Sequence, residues 1–448
     1  MYTPDTIAAL ATPPGRGGIA VIRVSGPDAP RCCEALSGSL PAPREARFRR
    51  FRDAEGEVID EGLVVYFPAP DSFTGEAVVE LHGHGGPVAV EQLLERLATL
   101  GARPAGPGEF SLRAFLNGRL DLAQAEAIAD LIESRSREAS RAAVRSLQGE
   151  LSARVTALVD ALTDLRVYVE AALDFPDEDV DFLADDALEA RLVKLRADFA
   201  ALTSRTEHGR RLHDGLTLVI AGPPNAGKSS VLNRLAGSDA AIVTDIAGTT
   251  RDVLREALVL DGVPVNVVDT AGLRDSDEPV EREGIRRALA EAERADGVLL
   301  VVDGTVTDAG AFDAARARVH TDAPVLVVVN KTDLAAAPMR APAWAPDALL
   351  VSARTGEGFA ALTDAVLELA GVAEAAAAPL AARGRHIDAL RRAAAHLEAG
   401  AAALFDLQAG ELLAEELRLA QDALGEITGK VHSDALLGRI FASFCIGK

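Results

Sequence analysis

Eight residues near the middle of the chain restrict its fold more than any other stretch. Residues Gly222–Ser229 read GPPNAGKS, which is the pattern G-x-x-x-x-G-K-S. The apolar run Leu216–Ala221 before them predicts a buried strand, and Ser230–Ala236 after them predicts a helix that stops at Gly237. A strand, a glycine-rich loop and a helix in this order form a cradle whose backbone N–H groups point at bound phosphate.

The side chains of this loop fit phosphate chemistry as well. Lys228 adds a full positive charge to the helix N-terminus, and the Ser229 hydroxyl can hold Mg²⁺. The residues predicted to contact phosphate or its counterions are Asn225, Ala226, Gly227, Lys228, Ser229 and Ser230. Lys228 is also a candidate catalytic residue, because its charge can stabilise phosphoryl transfer.

Three shorter motifs follow, each at the end of a predicted strand. The first comprises Asp269, Thr270, Ala271 and Gly272, where Asp269 can hold a Mg²⁺-bound water and the Gly272 N–H can reach a γ-phosphate. The second contains Asn330, Lys331 and Asp333, and the third is Ser352, Ala353 and Arg354.

The second and third motifs predict which base the site binds. A carboxylate at Asp333 can accept hydrogen bonds from guanine N1–H and its amino group, an arrangement that adenine lacks. The stem of Lys331 can lie across the ring, and backbone N–H groups near Ala353 can reach guanine O6. The four motifs in order predict a site for GTP or GDP and, with Lys228 and Mg²⁺ ligands, GTP hydrolysis.

The residue that orients the attacking water is less evident. Many small GTPases carry glutamine after the Asp-Thr-Ala-Gly motif, but this chain has Leu273 there. Glu281 is the candidate replacement, and the alternative is that Glu281 is a carboxylate in the first turn of a helix, favoured there by the helix dipole. Arg251, Arg274 and Arg354 lie nearby without an evident arginine-finger role, so a monovalent cation could supply the charge. Asn225 with backbone oxygens from Thr244–Thr250 would suit K⁺.

The charge and composition of the chain limit its possible binding partners and its cellular compartment. The net charge of −22 opposes general polyanion binding, so any nucleic-acid contact requires a local basic patch or a basic partner. The three cysteines Cys32, Cys33 and Cys445 cannot form a disulfide framework. No signal pattern or long apolar run is evident, which predicts a cytoplasmic protein without a membrane span.

The chain divides into four predicted segments. Residues 1–118 show a mixed α+β pattern, and residues 119–212 show long helical patterns. Residues 213–371 predict a doubly wound, mostly parallel sheet around the phosphate loop, with a hairpin that turns at Asp261 and Gly262. Residues 372–448 are helical again. We infer an α/β domain inserted into one helical domain built from both flanks; two separate helical domains are the alternative.

Three polar clusters allow two interpretations each. Arg44–Arg52 holds five arginines, and Arg137, Arg141 and Arg145 recur on one helical face beside Arg135. Both sets fit a solvated face, and a nucleic-acid or partner surface is the alternative. His82 and His84 on a glycine-rich segment fit a structural role, with a metal site as the alternative.

The sequence resembles the MnmE (TrmE) family of tRNA-modification GTPases along essentially its whole length. The matching stretches are residues 11–18 (ATPPGRGG), 121–132 (DLAQAEAIADLI), 221–230 (AGPPNAGKSS), 244–252 (TDIAGTTRD), 269–273 (DTAGL) and 444–448 (FCIGK). The resemblance implies an N-terminal folate-binding and dimerisation domain, a discontinuous helical domain and an inserted Ras-like P-loop GTPase domain. It also implies a homodimer whose GTPase domains pair in the presence of K⁺.

The implied chemistry uses a folate and a partner enzyme. Family members bind 5-formyl-tetrahydrofolate or a related one-carbon folate. With an FAD-dependent partner, in a heterotetramer or larger complex, they modify C5 of the wobble uridine of certain tRNAs. The folate-contacting positions implied here are Arg23, Glu80, Arg119 and Lys448. The family often has lysine where this chain has Arg119, and a planar guanidinium changes that contact.

The resemblance also assigns roles around the nucleotide. The K⁺ positions are Asn225, Thr244, Ile246 and Thr249, and the Mg²⁺ ligands are Ser229 and Thr250. The whole switch segment contributes to the site: Thr244, Asp245, Ile246, Ala247, Gly248, Thr249 and Thr250. Glu281 matches the water-orienting glutamate. Cys445 is either a catalytic thiol in the one-carbon chemistry or a small apolar residue packed within Ile440–Ile446.

Two other classes of GTPase compete with this interpretation. A ribosome-assembly GTPase would bind RNA without folate chemistry and would carry a basic RNA-binding module, which this acidic chain lacks. A membrane-associated GTPase would need an apolar or polybasic anchor, and the sequence shows neither.

Overall fold

The structure is a computed structural model that describes residues 5–174, 186–237, 255–269, 295–317, 319, 321, 323–335, 340–369 and 378–447. The chain forms two compact units. Unit 1 comprises Met1–Ala129, Val155–Thr163 and Glu415–Lys448, and unit 2 comprises Asp130–Arg154 and Asp164–Ala414. No helix in the described ranges is long and apolar enough to cross a lipid bilayer.

Unit 1 is built on a six-stranded sheet in the order β3-β4-β5-β2-β1-β6. Its strands are β1 (Ile7–Leu10), β2 (Gly17–Ser25), β3 (Arg47–Arg52), β4 (Val58–Phe67), β5 (Val78–Gly85) and β6 (Arg103–Pro104). Neighbouring strands are antiparallel except for β1 and β6, which are parallel. The mixed α+β pattern predicted for this part of the chain is confirmed.

The two faces of this sheet differ because strand side chains alternate. Helices α1 (Ala29–Ser37) and α2 (Pro87–Thr99) cover one face, where Ile22, Leu81 and Leu97 are buried together. The opposite face carries Ile19, Phe48 and Leu63, which are 67%, 58% and 43% exposed. We call the face with these three residues the open face.

The remaining helices of unit 1 bring the chain's end back to its beginning. They include α3 (Glu109–Leu116), most of α4 (Leu122–Glu133) and of α12 (Gly410–Thr428), and α13 (Asp434–Ala442). Leu122, Leu437 and Phe441 share one buried cluster. The Gly108 N–H donates to the Cys445 carbonyl at 3.3 Å, so the segment after α13 lies against the start of α3.

Unit 2 contains a second six-stranded sheet, in the order β12-β11-β10-β7-β9-β8. Its strands are β7 (Leu216–Ala221), β8 (Arg255–Leu260), β9 (Val263–Asp269), β10 (Gly297–Asp303), β11 (Val325–Asn330) and β12 (Leu349–Leu350). Only the β8–β9 hairpin is antiparallel, and it turns at Asp261 and Gly262. The predicted mostly parallel sheet and its Asp-Gly hairpin are confirmed.

Helices accompany this sheet in sequence and from both flanks. The helices α8 (Lys228–Ala236), α9 (Ala309–Arg316) and α10 (Phe359–Leu369) connect its strands. The flanking helices are α5 (Arg137–Leu147), α6 (Glu150–Asp174), α7 (Asp186–Asp214) and α11 (Gly384–Leu407). The side chains Arg196 and Glu398 join α7 to α11 at 2.7 Å. Helices from before and after the sheet therefore contact each other, as an inserted α/β domain requires; the boundaries at 118, 212 and 371 stay predictions.

Candidate functional site

The phosphate loop links the end of β7 to the start of α8. Gly222 and Gly227 have φ angles of 138° and 92°, and Asn225 has a φ of 62°. A Cβ atom at Gly222 would collide with the Val301 carbonyl, and one at Gly227 would collide with the Asn330 side-chain amide. The loop therefore needs glycine at both positions, because only glycine tolerates the backbone conformation and the close approach together.

Lys228 places its charge over this loop. Its ammonium donates to the carbonyls of Gly222 and Pro223 at 2.9 Å each. Lys228 is also the first residue of α8, where the helix dipole adds partial positive charge. A curled backbone, a helix N-terminus and an ammonium group in one place fit an anionic phosphate chain.

Asn330 connects the phosphate loop to the predicted base-binding loop. Its side chain is buried, its Nδ2 donates to the Ala226 carbonyl at 3.0 Å, and its Oδ1 accepts from the Ala353 N–H at 3.1 Å. These two bonds fix the distance between the two loops. Asn330 therefore holds the two loops in position, and its neighbours in the motif remain available to contact the base.

Asp333 is held as an ionised carboxylate. The Ser352 hydroxyl donates to Oδ1 at 2.7 Å, and the Arg354 guanidinium lies 2.8 Å from Oδ2. The hydrogen bond from Ser352, together with the charge of Arg354, lowers the pKa of Asp333 below its ordinary value. An acceptor that stays charged at neutral pH suits two guanine N–H donors.

Lys331 is fixed beside this carboxylate by a partner that the sequence analysis did not identify. Its ammonium lies 2.6 Å from Asp303 Oδ2 at the end of β10. Asp303 follows an apolar strand, so its place at a strand end was the available signal. The ion pair holds the Lys331 stem in place, as a contact across a purine ring requires.

These groups surround one cavity of about 410 Å³. Its walls are Gly227, Ser230, Asn330, Lys331, Asp333, Leu334, Ala353 and Arg354. The sequence motifs predicted all of these except Leu334. The structure thus brings together the phosphate loop and both base-binding motifs in a space of the size typical for small-molecule sites.

Several predicted site residues lie outside the described residues. They are Thr244, Asp245, Ile246, Ala247, Gly248, Thr249, Thr250, Thr270, Ala271, Gly272, Glu281 and Lys448. Asp269 ends strand β9, as predicted. Within the described ranges no group of three or more His, Cys, Asp or Glu side chains could hold a metal ion. Asn225 and Ser229 offer amide and hydroxyl oxygens, which fit K⁺ and Mg²⁺ coordination.

A second polar group lies on the sheet of unit 1. Arg23 and Glu80 are register partners on β2 and β5, and their side chains form an ion pair at 2.8 Å. His82 Nε2 lies 3.4 Å from the other Glu80 oxygen. The hydrogen bond with His82 and the charge of Arg23 lower the pKa of Glu80 to about 2. Glu80 is therefore ionised across the physiological range.

Two aromatic rings complete this group, which we call the Arg23 cluster: Arg23, Phe73, Glu80, His82 and Phe110. The Arg23 guanidinium carbon lies 5.1 Å from the Phe73 ring centre and 5.8 Å from that of Phe110. These rings restrict the guanidinium by cation–π contact. Neither phenylalanine could be recognised from the sequence, because both lie in segments without a motif.

The other predicted residues of unit 1 have looser surroundings. Arg119 is exposed, and its guanidinium lies 3.8 Å from Asp71. His82 and His84 have separate partners, Glu80 and Asp60, which fits the structural interpretation.

Cys445 is exposed and stands at the edge of an apolar cavity of about 580 Å³. The cavity is lined by Ala8, Ala9, Leu10, Thr12, Pro14, Leu94, Ala102, Pro104, Ala105, Cys445 and Ile446. The thiol is therefore accessible, while its catalytic role stays a prediction. Ala9, which lines this cavity, is also the β1 register partner of Arg23.

Fold and site together define a class. A mostly parallel sheet carries a phosphate loop after β7 and an acceptor for guanine after β11, which is the arrangement of a Ras-like P-loop GTPase. Residues 122–445 match the family model of the MnmE helical domain, and residues 6–119 match that of the GTP-binding protein TrmE N-terminus.

The chain belongs to the MnmE (TrmE) family and is a GTPase that acts in tRNA modification. The assignment favours the first interpretation of the sequence over a ribosome-assembly GTPase.

Solved structures similar to this chain include other GTP-binding proteins. The G domain of the T. maritima FeoB iron transporter is 25% identical over 35% of this chain and 98% of its own, with a TM-score of 0.26. An Era variant of Aquifex aeolicus bound to GDP and AlF4⁻ is 24% identical over 35% and 56%, with a TM-score of 0.25. A GTP-binding protein of Sulfolobus solfataricus in complex with GDP is 16% identical over 64% and 78%, with a TM-score of 0.26. The assignment rests on the family models alone.

Proposed function

We propose that this GTPase, together with an FAD-dependent partner, modifies C5 of the wobble uridine of certain tRNAs. The one-carbon donor is 5-formyl-tetrahydrofolate or a related folate. The Arg23 cluster is the observation that supports this most directly. A pterin carries adjacent ring N–H and amino donors, as guanine does, and an ionised carboxylate such as Glu80 accepts from both.

The rest of the folate also finds matching chemistry in unit 1. Its glutamate tail carries carboxylates, for which Arg119 and Lys448 provide cations. Its flat aromatic body suits an apolar wall of the kind found beside Cys445. Arg23 is held by two aromatic rings, so it orients Glu80 and keeps it charged.

On the nucleotide side, Lys228 binds the phosphates and Asp333 binds guanine, while Glu281 holds the attacking water. Ser229 and Thr250 would hold Mg²⁺, and Asn225, Thr244, Ile246 and Thr249 would hold K⁺. When bound, these cations supply positive charge to the phosphates, the charge that an arginine finger would otherwise provide. Leu273 leaves the water-orienting task to another polar side chain.

The assembly proposed is a cytoplasmic homodimer that joins the FAD-dependent partner in a larger complex. The open face of unit 1 supports the dimer, because Ile19, Phe48 and Leu63 leave apolar surface exposed there. Burying these side chains against a second copy would remove that surface from water.

The folate assignment is tested by replacing Arg23 with alanine. Loss of its charge and of the Glu80 ion pair should weaken 5-formyl-tetrahydrofolate binding by roughly tenfold or more, because hydrogen bonds to charged groups are worth more than about 1.4 kcal/mol. Isothermal titration calorimetry measures this directly. Arg31→Ala is the matched control, since Arg31 is exposed and paired to Asp28 on α1. Equal folate affinity in both variants would sink the assignment, and GTP affinity should change in neither.

The cation and water assignments are tested by GTP hydrolysis. The rate should fall strongly when K⁺ is replaced by Na⁺ at constant ionic strength, because the smaller ion does not fit the same oxygen cage.

Glu281→Ala should bind GTP normally and hydrolyse it at least about 100-fold more slowly, the range typical for positioned acid–base groups. Equal rates in the two salts would remove K⁺ from the mechanism, and near-normal turnover would remove Glu281.

The proposed product is tested by mass analysis of tRNA nucleosides after deletion of the gene. A loss of the modified wobble uridine is expected. An unchanged nucleoside profile contradicts the proposed function.

A further inference from the structure

Three arginines form an exposed surface on unit 2 and are not among the residues that line the nucleotide cavity. Arg137 and Arg141 lie one helical turn apart on α5, and Arg135 lies two residues before the helix begins. All three side chains are exposed. We call these three residues the α5 arginine face.

Several other helical arginines of the chain have carboxylate partners. Arg154, Arg196 and Arg418 each form an ion pair with a glutamate on the same or a neighbouring helix. Within the described ranges, the guanidinium groups of Arg135, Arg137 and Arg141 form no ion pair and no hydrogen bond. Fifteen donors, five on each group, are therefore directed to solvent.

The unpaired arrangement opposes the stability of the helix. Like charges four residues apart on a helix repel each other, and Arg137, Arg141 and Arg145 form two such pairs in succession. Of these three arginines, only Arg145 has a side-chain hydrogen-bond partner among the described residues: it donates to the Pro379 carbonyl at 2.7 Å. A repulsive face whose exposed guanidinium groups form no ion pair in the described part of the chain is well suited to an external anion.

Other residues of α5 and its cap hold the helix in place. Ser136 caps its N-terminus by accepting from the Ala139 N–H. Ala139 packs into the core of the α/β sheet, and the Glu138 carboxylate lies against Gly262 at the turn of the β8–β9 hairpin. The arginines are therefore displayed by a helix that is fixed to the nucleotide-binding sheet.

We propose that the α5 arginine face binds the phosphate backbone of tRNA. The inference builds on the tRNA-modification activity of the family and names the contact surface for its substrate. A chain with a net charge of −22 repels RNA overall, so it must contact RNA through a local basic surface. Guanidinium groups match phosphate oxygens in a bidentate manner, and a helical turn spaces them about 6 Å apart.

The test compares two double variants of equal charge. In Arg137→Ala/Arg141→Ala the face loses two cations, and Arg31→Ala/Arg418→Ala removes two exposed arginines that have carboxylate partners. Fluorescence anisotropy with an unmodified full-length tRNA is recorded over a series of KCl concentrations. The first variant should bind at least about tenfold more weakly, and its plot of log affinity against log salt should be shallower by about 2. The control should stay near the wild type.

Two further variants separate charge from folding. Arg137→Lys/Arg141→Lys keeps both charges and should retain most of the affinity, because lysine contacts phosphate as a point charge. Arg141→Gln alone should give a smaller loss. Thermal melting should not be lowered by the alanine variant, since alanine removes the repulsion and favours the helix.

Equal affinity and equal salt dependence in the alanine variant and its control would overturn the proposal. So would a variant that binds tRNA normally and loses only the FAD-dependent partner, because the face would then serve an acidic protein surface. Neither result would contradict the proposed folate chemistry, which is tested separately by folate titration and by mass analysis of the wobble nucleosides.

Discussion

The nucleotide cavity of unit 2 and the Arg23 cluster of unit 1 are assembled in opposite ways. In the cavity, the phosphate loop, Asn330–Asp333 and Ser352–Arg354 each follow a strand, and parallel strands gather their carboxyl ends at one edge. In the cluster, Arg23 and Glu80 stand in the middle of antiparallel strands and meet only through the register of β2 and β5.

The contrast shows how much of a site's geometry a local motif can encode. A strand-end motif carries its own geometry, because the loop that follows the strand contains all the contacting groups. A register pair carries no such signal, since Arg23 and Glu80 are 57 residues apart and their neighbours are ordinary strand residues. The two regions also hold their carboxylates in different ways: Asp333 by a serine hydroxyl and an exposed arginine, and Glu80 by a histidine and a half-buried arginine.

The largest expected effect is a loss of GTP binding that leaves folate binding in unit 1 unchanged. Asp333→Asn should weaken GTP binding by at least about 100-fold, because the amide presents a donor where guanine also has one. Xanthosine nucleotides, which carry an acceptor at that position, should bind better than GTP. Nucleotide titration measures both, with Asp313→Asn on the exposed side of α9 as control. Folate binding should be unchanged, and a parallel loss of folate affinity would mean that the two regions are not independent.

The next effect falls on the stability of unit 1. Arg113 is fully buried and pairs with Asp5, Glu76 and Glu109 at 2.6 to 3.1 Å. Arg113→Met should destabilise unit 1 by about 3 kcal/mol, because it leaves these carboxylates without their shared partner. Thermal unfolding should detect the loss, with Arg31→Met as the exposed control. Nucleotide affinity should persist at low temperature. A loss of this affinity would show that nucleotide binding depends on the stability of unit 1.

The smallest effect is a difference in pH response between the units. In unit 2, the Asp130 carboxylate 3.2 Å from Nε2 and a hydrogen bond between Nδ1 and Asp214 raise the pKa of His213 to about 9. Arg383 and Arg210 also face these carboxylates. A raised pKa means that the stabilisation is present below pH about 6.5 and is lost as pH rises through 9. At most about 3 kcal/mol is involved. In unit 1, the lowered pKa of Glu80 means the reverse, with stabilisation lost as pH falls from about 4.5 towards 2.

Melting curves between pH 6 and 9.5 test the alkaline part of this difference. The melting temperature of the wild type should fall over this range, and that of His213→Gln should change less. His84→Gln, at an exposed site in unit 1, serves as the control and should keep the fall of the melting temperature towards pH 9.5, because it leaves His213 in place. A wild-type curve that does not fall towards pH 9.5 would show that the His213 pairs do not stabilise the fold.

The phosphate loop, the choice of guanine, the Asp-Gly hairpin turn and the mostly parallel character of the sheet could be predicted from the motifs and their spacing. These features depend on residues close together in sequence, such as Gly222 to Ser229, whose local geometry is fixed by glycine, strand and helix propensities. Only the tertiary structure decided that Asp303 restrains Lys331 and that Phe73 and Phe110 enclose Arg23.

The same holds for the buried Arg113 and for the position of Cys445 beside the first strand. These contacts join residues far apart in the chain, and strand register and helix packing set them. The short-range pattern that a sequence displays does not contain that information, because the energy of such contacts exists only once the cores have formed.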